Sequence, residues 1–249
     1  MCMIFGWMKP AIKKASDRAA LLRHLARKSQ AGGDKSFGLA YVKDGKGVLV
    51  RYTGAASQWL EQNTKDLERI AASEVLLGHC RWPTQGPVTK NNCHPFPIAD
   101  SYSVHNGQIK NAAALHAKAG HVARGETDSE ETLCYIVGQN FSPESLAEID
   151  GYFAFGSIKK NGSQVTLACD DRARLHLAYV GEGCVWATDR EILSSSLGAV
   201  GIEADVVRIQ SQVLRLPGRQ VTELRSRTAG PMDDTARRSL FGDELFKNH

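Results

Sequence analysis

His79-Cys80-Arg81-Trp82-Pro83-Thr84-Gln85-Gly86 opens an irregular segment running from Arg81 to about Ala99, with Pro83, Pro87, Pro95 and Pro97 inside it. Loops of that length within a compact domain are usually functional. Cys93-His94-Pro95-Phe96 lies in the same segment, and Val104-His105-Asn106-Gly107 and Glu126-Thr127-Asp128 follow it. At the far end of the sequence, Cys2 stands directly after Met1.

Outward from this segment, hydrophobic spacing predicts alternating strands and helices. Cys2 to Trp7 reads as a strand. Asp17 to Lys28 reads as a helix, with Leu21, Leu22 and Leu25 on one face and Ser16 as its N-cap. Ser36 to Lys43 and Gly47 to Thr53 form a hairpin around Asp44-Gly45. Ser57 to Ala72 reads as helical and Glu74 to Cys80 as extended. Tyr102 to His105 is a short strand and Lys110 to Ala119 a helix. Asp128-Ser129-Glu130-Glu131 has the form of a capping box opening a helix to about Gln139. Strands follow at Gly151 to Ile158, Gln164 to Ala168, Leu175 to Val180 and Cys184 to Thr188. A helix at Arg190 to Leu197 precedes a hairpin of Val213 to Leu216 with Gln220 to Leu224. This order favours antiparallel or mixed sheets covered by helices. No glycine-rich phosphate loop follows a strand, so a nucleotide-binding doubly wound sheet loses support.

The chain of 249 residues is 42% hydrophobic and 23% charged, enough for one large domain with its own core. A net charge of +4 is mildly basic, so nucleic acid is not indicated as a partner. No run approaches the ~20 apolar residues of a membrane span. The apolar start lacks a basic leader and is followed by Lys9, Pro10, Lys13 and Lys14, which points away from a secretory signal and to the cytoplasm. The six cysteines are then free thiols, most of them small core residues. His79, Cys80, Cys93 and His94 could be drawn together as a zinc site. Their spacing is not that of a structural zinc module, and adjacent residues on a strand point apart. No metal and no cofactor is expected.

Cysteine is small enough for Met1 to be trimmed. Cys2 would then carry a thiol and a free α-amine on one residue. The thiolate is the nucleophile, and an amine with a pKa of about 8 can accept its proton near neutrality. Alone, this position is as readily a small residue that happens to follow Met1. The ordered segments change that. They resemble the glutaminase domain of class II (N-terminal nucleophile) glutamine amidotransferases, most nearly that of glucosamine-6-phosphate synthase. His79 to Gly86 is similar to its H-T-R-W-A-T-H-G, His94-Pro95 to its H-P, and Val104 to Gly107 to its V-H-N-G. Gly33 to Leu39, Gly151 to Ala154 and Ala187 to Asp189 resemble three further family segments, so the likeness spans residues 2 to about 224.

The resemblance implies an α+β fold: the four-layer αββα sandwich of N-terminal nucleophile hydrolases, with two mainly antiparallel sheets. It implies a glutaminase domain over residues 1–225 and a tail over 226–249. It assigns Cys2 as nucleophile and Asn106 and Gly107 as the oxyanion hole, where two donors meet the developing charge. Asn-Gly is equally a common hairpin turn. Arg81 would bind the α-carboxylate of L-glutamine, for which a guanidinium fork is suited, against the alternative of a surface ion pair. Asp128 would accept the α-ammonium, with a helix N-cap as its alternative or additional role. Trp82 and Thr84 fall where the family loop closes over substrate, and Gly38 with the loop before it would pack near Cys2. Gln85 departs from the likeness, which has His there. Lys35-Ser36-Phe37 departs from D-S-A and is expected to reshape the pocket floor.

The activity implied is release of ammonia from glutamine through a Cys2 thioester. Two other readings stand beside it: an N-terminal nucleophile hydrolase of another amide, and a catalytically silent binding or regulatory subunit. Roughly 25 residues after the likeness are too few for a second active site. The ammonia would pass to a separate synthase partner, or the protein would be a simple glutaminase. Arg237, Arg238, Leu240, Phe241, Leu245 and Phe246 could dock such a partner, or belong to a frayed terminus ending in a short helix.

Overall fold

The computed structural model describes residues 2–120 and 122–224; the tail expectations lie outside the described residues. The strands are β1 (Met3–Met8), β2 (Ser36–Lys43), β3 (Lys46–Tyr52), β4 (Val75–Arg81), β5 (Phe96–Ile98), β6 (Ser101–Ile109) and β7 (Gly151–Lys159). They continue with β8 (Val165–Cys169), β9 (His176–Val180), β10 (Gly183–Ala187), β11 (Val206–Arg208), β12 (Gln212–Leu216) and β13 (Gln220–Glu223). The α-helices are α1 (Ala15–Ser29), α2 (Ala56–Gln62), α3 (Leu67–Ala71), α4 (Ala112–His116), α5 (Asp128–Gly138), α6 (Pro143–Ala147) and α7 (Arg190–Gly198).

Two sheets form, in the orders β11-β9-β10-β1-β4-β2-β3 and β13-β12-β8-β7-β6-β5. Every neighbouring pair is antiparallel. Three cores separate four layers. Phe5, Trp7, Phe37 and Leu76 face Leu21, Leu25, Trp59 and Leu193 of the helices over the first sheet. Ile4, Leu77, Val104, Leu167 and Trp186 fill the space between the sheets. Phe153 and Phe155 meet Leu133, Ile136 and Leu146 beneath the second. The αββα sandwich expected from the sequence is the fold observed.

Several local expectations are corrected. Helix α1 starts at Ala15, with Lys14 as its uncapped N-cap residue, so Ser16 lies inside it. The helix read at 57–72 is broken, because the Asn63 side chain donates to Trp59 O at 2.8 Å and Thr64 Oγ1 to Leu60 O at 3.1 Å. These bonds compete with the helical ladder. Strand β6 runs on to Ile109, four residues beyond the strand read to His105. Helix α4 covers only residues 112–116 of the ten read as helical. Helix α6 and strand β11, at five and three residues, are too short to show a period.

Candidate active site

Strand alternation assembles the site at one end of the layer between the sheets. In β1, Ile4 and Met8 face that layer while Phe5 and Trp7 face outward. Cys2 has the same parity as Ile4 and so faces inward. In β4, Val75 and Leu77 share the inner face, and His79 and Arg81 continue it. Met3 lies opposite Cys80 and Ile4 opposite His79, which carries Cys2 toward Arg81 and Trp82. Cys2 Sγ donates to the Trp82 carbonyl at 3.4 Å. Burial pushes the Cys2 thiol above its ordinary 9.0. The Trp82 backbone and the Arg81 charge oppose that rise and the Asp128 charge adds to it, so both charged groups bear on the sulfur.

Arg81 is only 3% exposed. Its Nη2 donates to Gln85 O at 2.5 Å and its Nη1 to Pro87 O at 3.4 Å. Among the described residues it forms no ion pair, so the surface ion pair is ruled out. A buried cation without a counter-charge is costly, and the position suits an incoming anion. A Cβ at Gly33 would lie 2.4 Å from the Arg81 carbonyl carbon, so the loop before β2 rests directly on this backbone. Gly38 instead packs against His94, whose carbonyl oxygen would lie 2.0 Å from a Cβ there. Phe37 stacks on Phe5 in the outer core and is not a pocket floor. Lys35 reaches the rim, with Nζ 5.2 Å from the Trp82 ring centre, and Ser36 is paired across the strands with Arg81.

Asp128 is buried at the first turn of α5 but is not the cap. Thr127 is, its side chain accepting from Glu130 N at 3.2 Å. The Asp128 carboxylate is left to accept from Ile109 N at 3.1 Å and from Ser129 Oγ at 3.4 Å. Its own N–H donates to Gln85 Oε1 at 3.3 Å. Gln85 therefore touches both residues, its carbonyl holding the Arg81 guanidinium and its amide oxygen the Asp128 backbone N–H. From its sequence alone this residue stands out only as a departure from the family pattern.

Asn106-Gly107 is not a turn. Both lie within β6, opposite Ala154 and Phe153. Gly107 has φ +156°, and a Cβ would fall 2.1 Å from Tyr152 O, so a side chain does not fit. Asn106 is buried on the inner face, in the series of Tyr102 and Val104. Trp82 and Thr84 sit on the exposed loop after β4, Trp82 with 48% of its surface open. No hydrogen bond ties the Thr84 side chain to the other site residues among the described residues.

Three buried histidines underlie the site. The His79 and His94 rings stack with centres 3.9 Å apart, and His79 Nε2 bonds to His105 O at 3.1 Å. Burial pushes His79 down to about 3, and Arg81 adds to that. Burial also lowers His94 and His105, with Asp128 opposing it at His105. The zinc arrangement does not form: Cys80 Sγ faces the outer core toward Ala26 O, and Cys93 Sγ donates to Thr89 O at 3.1 Å. A separate cavity of about 450 Å³ between α6, Phe153, Asp170 and Leu224 includes none of these site residues.

The family model described as class II glutamine amidotransferases matches residues 1–153. Among curated proteins, the glutamine–fructose-6-phosphate aminotransferase (isomerizing) of Pyrococcus horikoshii is 30% identical, over 72% of this chain and 29% of its own length. The protein of that name from Acidithiobacillus ferridurans is 28% identical, over 87% of this chain and 36% of its own. The chain thus spans about a third of these relatives. Glutamine phosphoribosylpyrophosphate amidotransferase from B. subtilis superposes with a TM-score of 0.68 at 18% identity, over 91% of this chain and 50% of that one. A glutamine aminotransferase class-II domain protein from Silicibacter pomeroyi gives 0.54 at 16% identity, over 89% of this chain and 98% of that one. At these identities the structural likeness is one of fold.

Proposed function

This chain belongs to the class II glutamine amidotransferases, and we propose that it releases ammonia from L-glutamine with Cys2 as its nucleophile. The observation that carries the reading is geometric: the buried Arg81, with no ion pair among the described residues, and Asp128 are both tied to Gln85, while Cys2 Sγ bonds to the Trp82 carbonyl next to Arg81. A carboxylate site and an ammonium site together specify a free amino acid, which favours glutamine over another amide.

With Met1 removed, the α-amine of Cys2 takes the thiol proton and the sulfur attacks the side-chain carbonyl carbon. The oxyanion is met by the Asn106 amide and the Gly107 N–H. The C–N bond breaks as the amine returns the proton, ammonia leaves, and a γ-glutamyl thioester remains. Water then adds to the thioester, giving glutamate and the free thiol. Because burial raises the thiol, a base on the same residue is what makes attack possible near neutrality. Trp82 and Thr84 are placed on the loop that would cover bound glutamine. In this reading the ammonia passes to a synthase activity, in keeping with relatives whose names include a second substrate.

The test is mass spectrometry of the N-terminus together with glutaminase assays of the wild type and Cys2→Ala. The trimmed wild type should form glutamate and be labelled at Cys2 by a glutamine-analogue electrophile. Undiminished activity in a folded Cys2→Ala variant sinks the proposal. A wild type that neither turns over nor is labelled would instead identify a silent subunit.

A further inference from the structure

One of the bonds that hold Asp128 leads back to the strand carrying the oxyanion donors. Asp128 Oδ2 accepts from Ile109 N at 3.1 Å, and Oδ1 accepts from Ser129 Oγ at 3.4 Å. Ser129 Oγ in turn lies 2.9 Å from His105 Nδ1. All three side chains are buried. A hydroxyl has one proton to give. With it on Asp128, Ser129 can only accept from His105, which requires the Nδ1–H tautomer even though the Tyr152 carbonyl lies on the Nε2 side of the ring. The reverse arrangement, Ser129 donating to His105, leaves Asp128 Oδ1 with no donor from this pair.

The ring is held in place by its surroundings. Its centre is 5.0 Å from that of Phe155, and its Nε2 lies 2.6 Å from where a Gly107 Cβ would stand. Its chain neighbour is Asn106. We infer that His105 is a positioning residue that acts through Ser129 on Asp128, orienting the carboxylate that receives the substrate's α-ammonium. A carboxylate offers about four lone-pair sites. The Ile109 and Ser129 bonds occupy one on each oxygen and fix the plane, leaving the others directed at the ligand. Ammonium recognition and the oxyanion strand are thereby mechanically joined.

The inference rests on the glutaminase reading of Asp128. The experiment compares kcat/KM for glutamine with that for glutaramate (5-amino-5-oxopentanoate), which keeps the amide and the carboxylate but lacks the amine. The proteins are full-length wild type, Ser129→Ala, His105→Phe and His105→Asn, where the Asn amide nitrogen can stand near the Nδ1 position. Ser129→Ala and His105→Phe should lower the glutamine-to-glutaramate ratio about tenfold, the weight of one hydrogen bond to a charged group. The loss should fall mainly on KM for glutamine, and His105→Asn should recover most of the ratio. Equal losses on both substrates, with His105→Asn no better than His105→Phe, overturn the inference and leave the glutaminase intact. A wild type with no preference for glutamine shows that Asp128 is not an ammonium site, and the inference falls with it.

Discussion

Gln85 joins the two charged subsites with one side chain and one carbonyl, so its loss should be felt in binding before chemistry. Gln85→Ala is expected to raise KM for glutamine about fivefold, the size of one neutral hydrogen bond, with a smaller change in kcat; steady-state kinetics would show it. Gly107→Ala drives a Cβ to within 2.1 Å of Tyr152 O. It should lower kcat by at least about 10² as an oxyanion donor shifts, with circular dichroism confirming that the variant is folded. Cys2, Arg81, Asn106, Gly107 and Asp128 stand out as site candidates in the sequence because short, ordered motifs contain them. The dual role of Gln85 and the His105–Ser129 contact do not. They depend on hydrogen bonds between segments 24 to 43 residues apart in sequence, which no local spacing records.

At the scale of elements, the start of α5 combines a helix cap with a proposed binding residue. Thr127 caps the helix, and Asp128, its next residue, is the proposed ammonium acceptor. Thr127→Ala should cost about 1 kcal/mol of stability, measured by urea unfolding, and should also raise KM for glutamine. An unchanged KM would separate the cap from the site. The hairpin at Asp44-Gly45 was readable because both residues take positive φ, +51° and +70°, which those residue types tolerate. The helix break at Asn63 was not, because its cause is side-chain competition for carbonyls rather than a glycine or proline. The extent of β6 was obscured by Asn-Gly, whose usual turn is overridden here by pairing with β7.

The molecule as a whole buries histidines beneath its active site, and that sets its response to acid. The folded value of His79, about 3, lies below its ordinary 6.5, so protons favour the unfolded chain. Its contribution to stability is complete above pH 6.5 and is lost as pH falls from 6.5 toward 3, at about 1.4 kcal/mol per unit. His94 and His105 shift in the same direction and steepen the loss. The urea midpoint should therefore drop between pH 6.5 and 5, and a flat profile over that range would contradict the burial described. The succession of strands and helices made antiparallel or mixed sheets covered by helices legible, and the four-layer order came from the family resemblance; the inner position of the histidines emerged only when two sheets faced each other.

Strand β1 also has a consequence in time. It lies between β4 and β10, so that Phe5 is paired to Gly78 on one side and to Ala187 on the other. A ribosome adding about 5–20 residues per second needs roughly 10–40 s to reach the second of these partners. Until then the segment bearing Cys2 has at least one open edge. Removal of Met1, on which the proposed chemistry depends, has that interval in which to occur before β1 is paired on both sides.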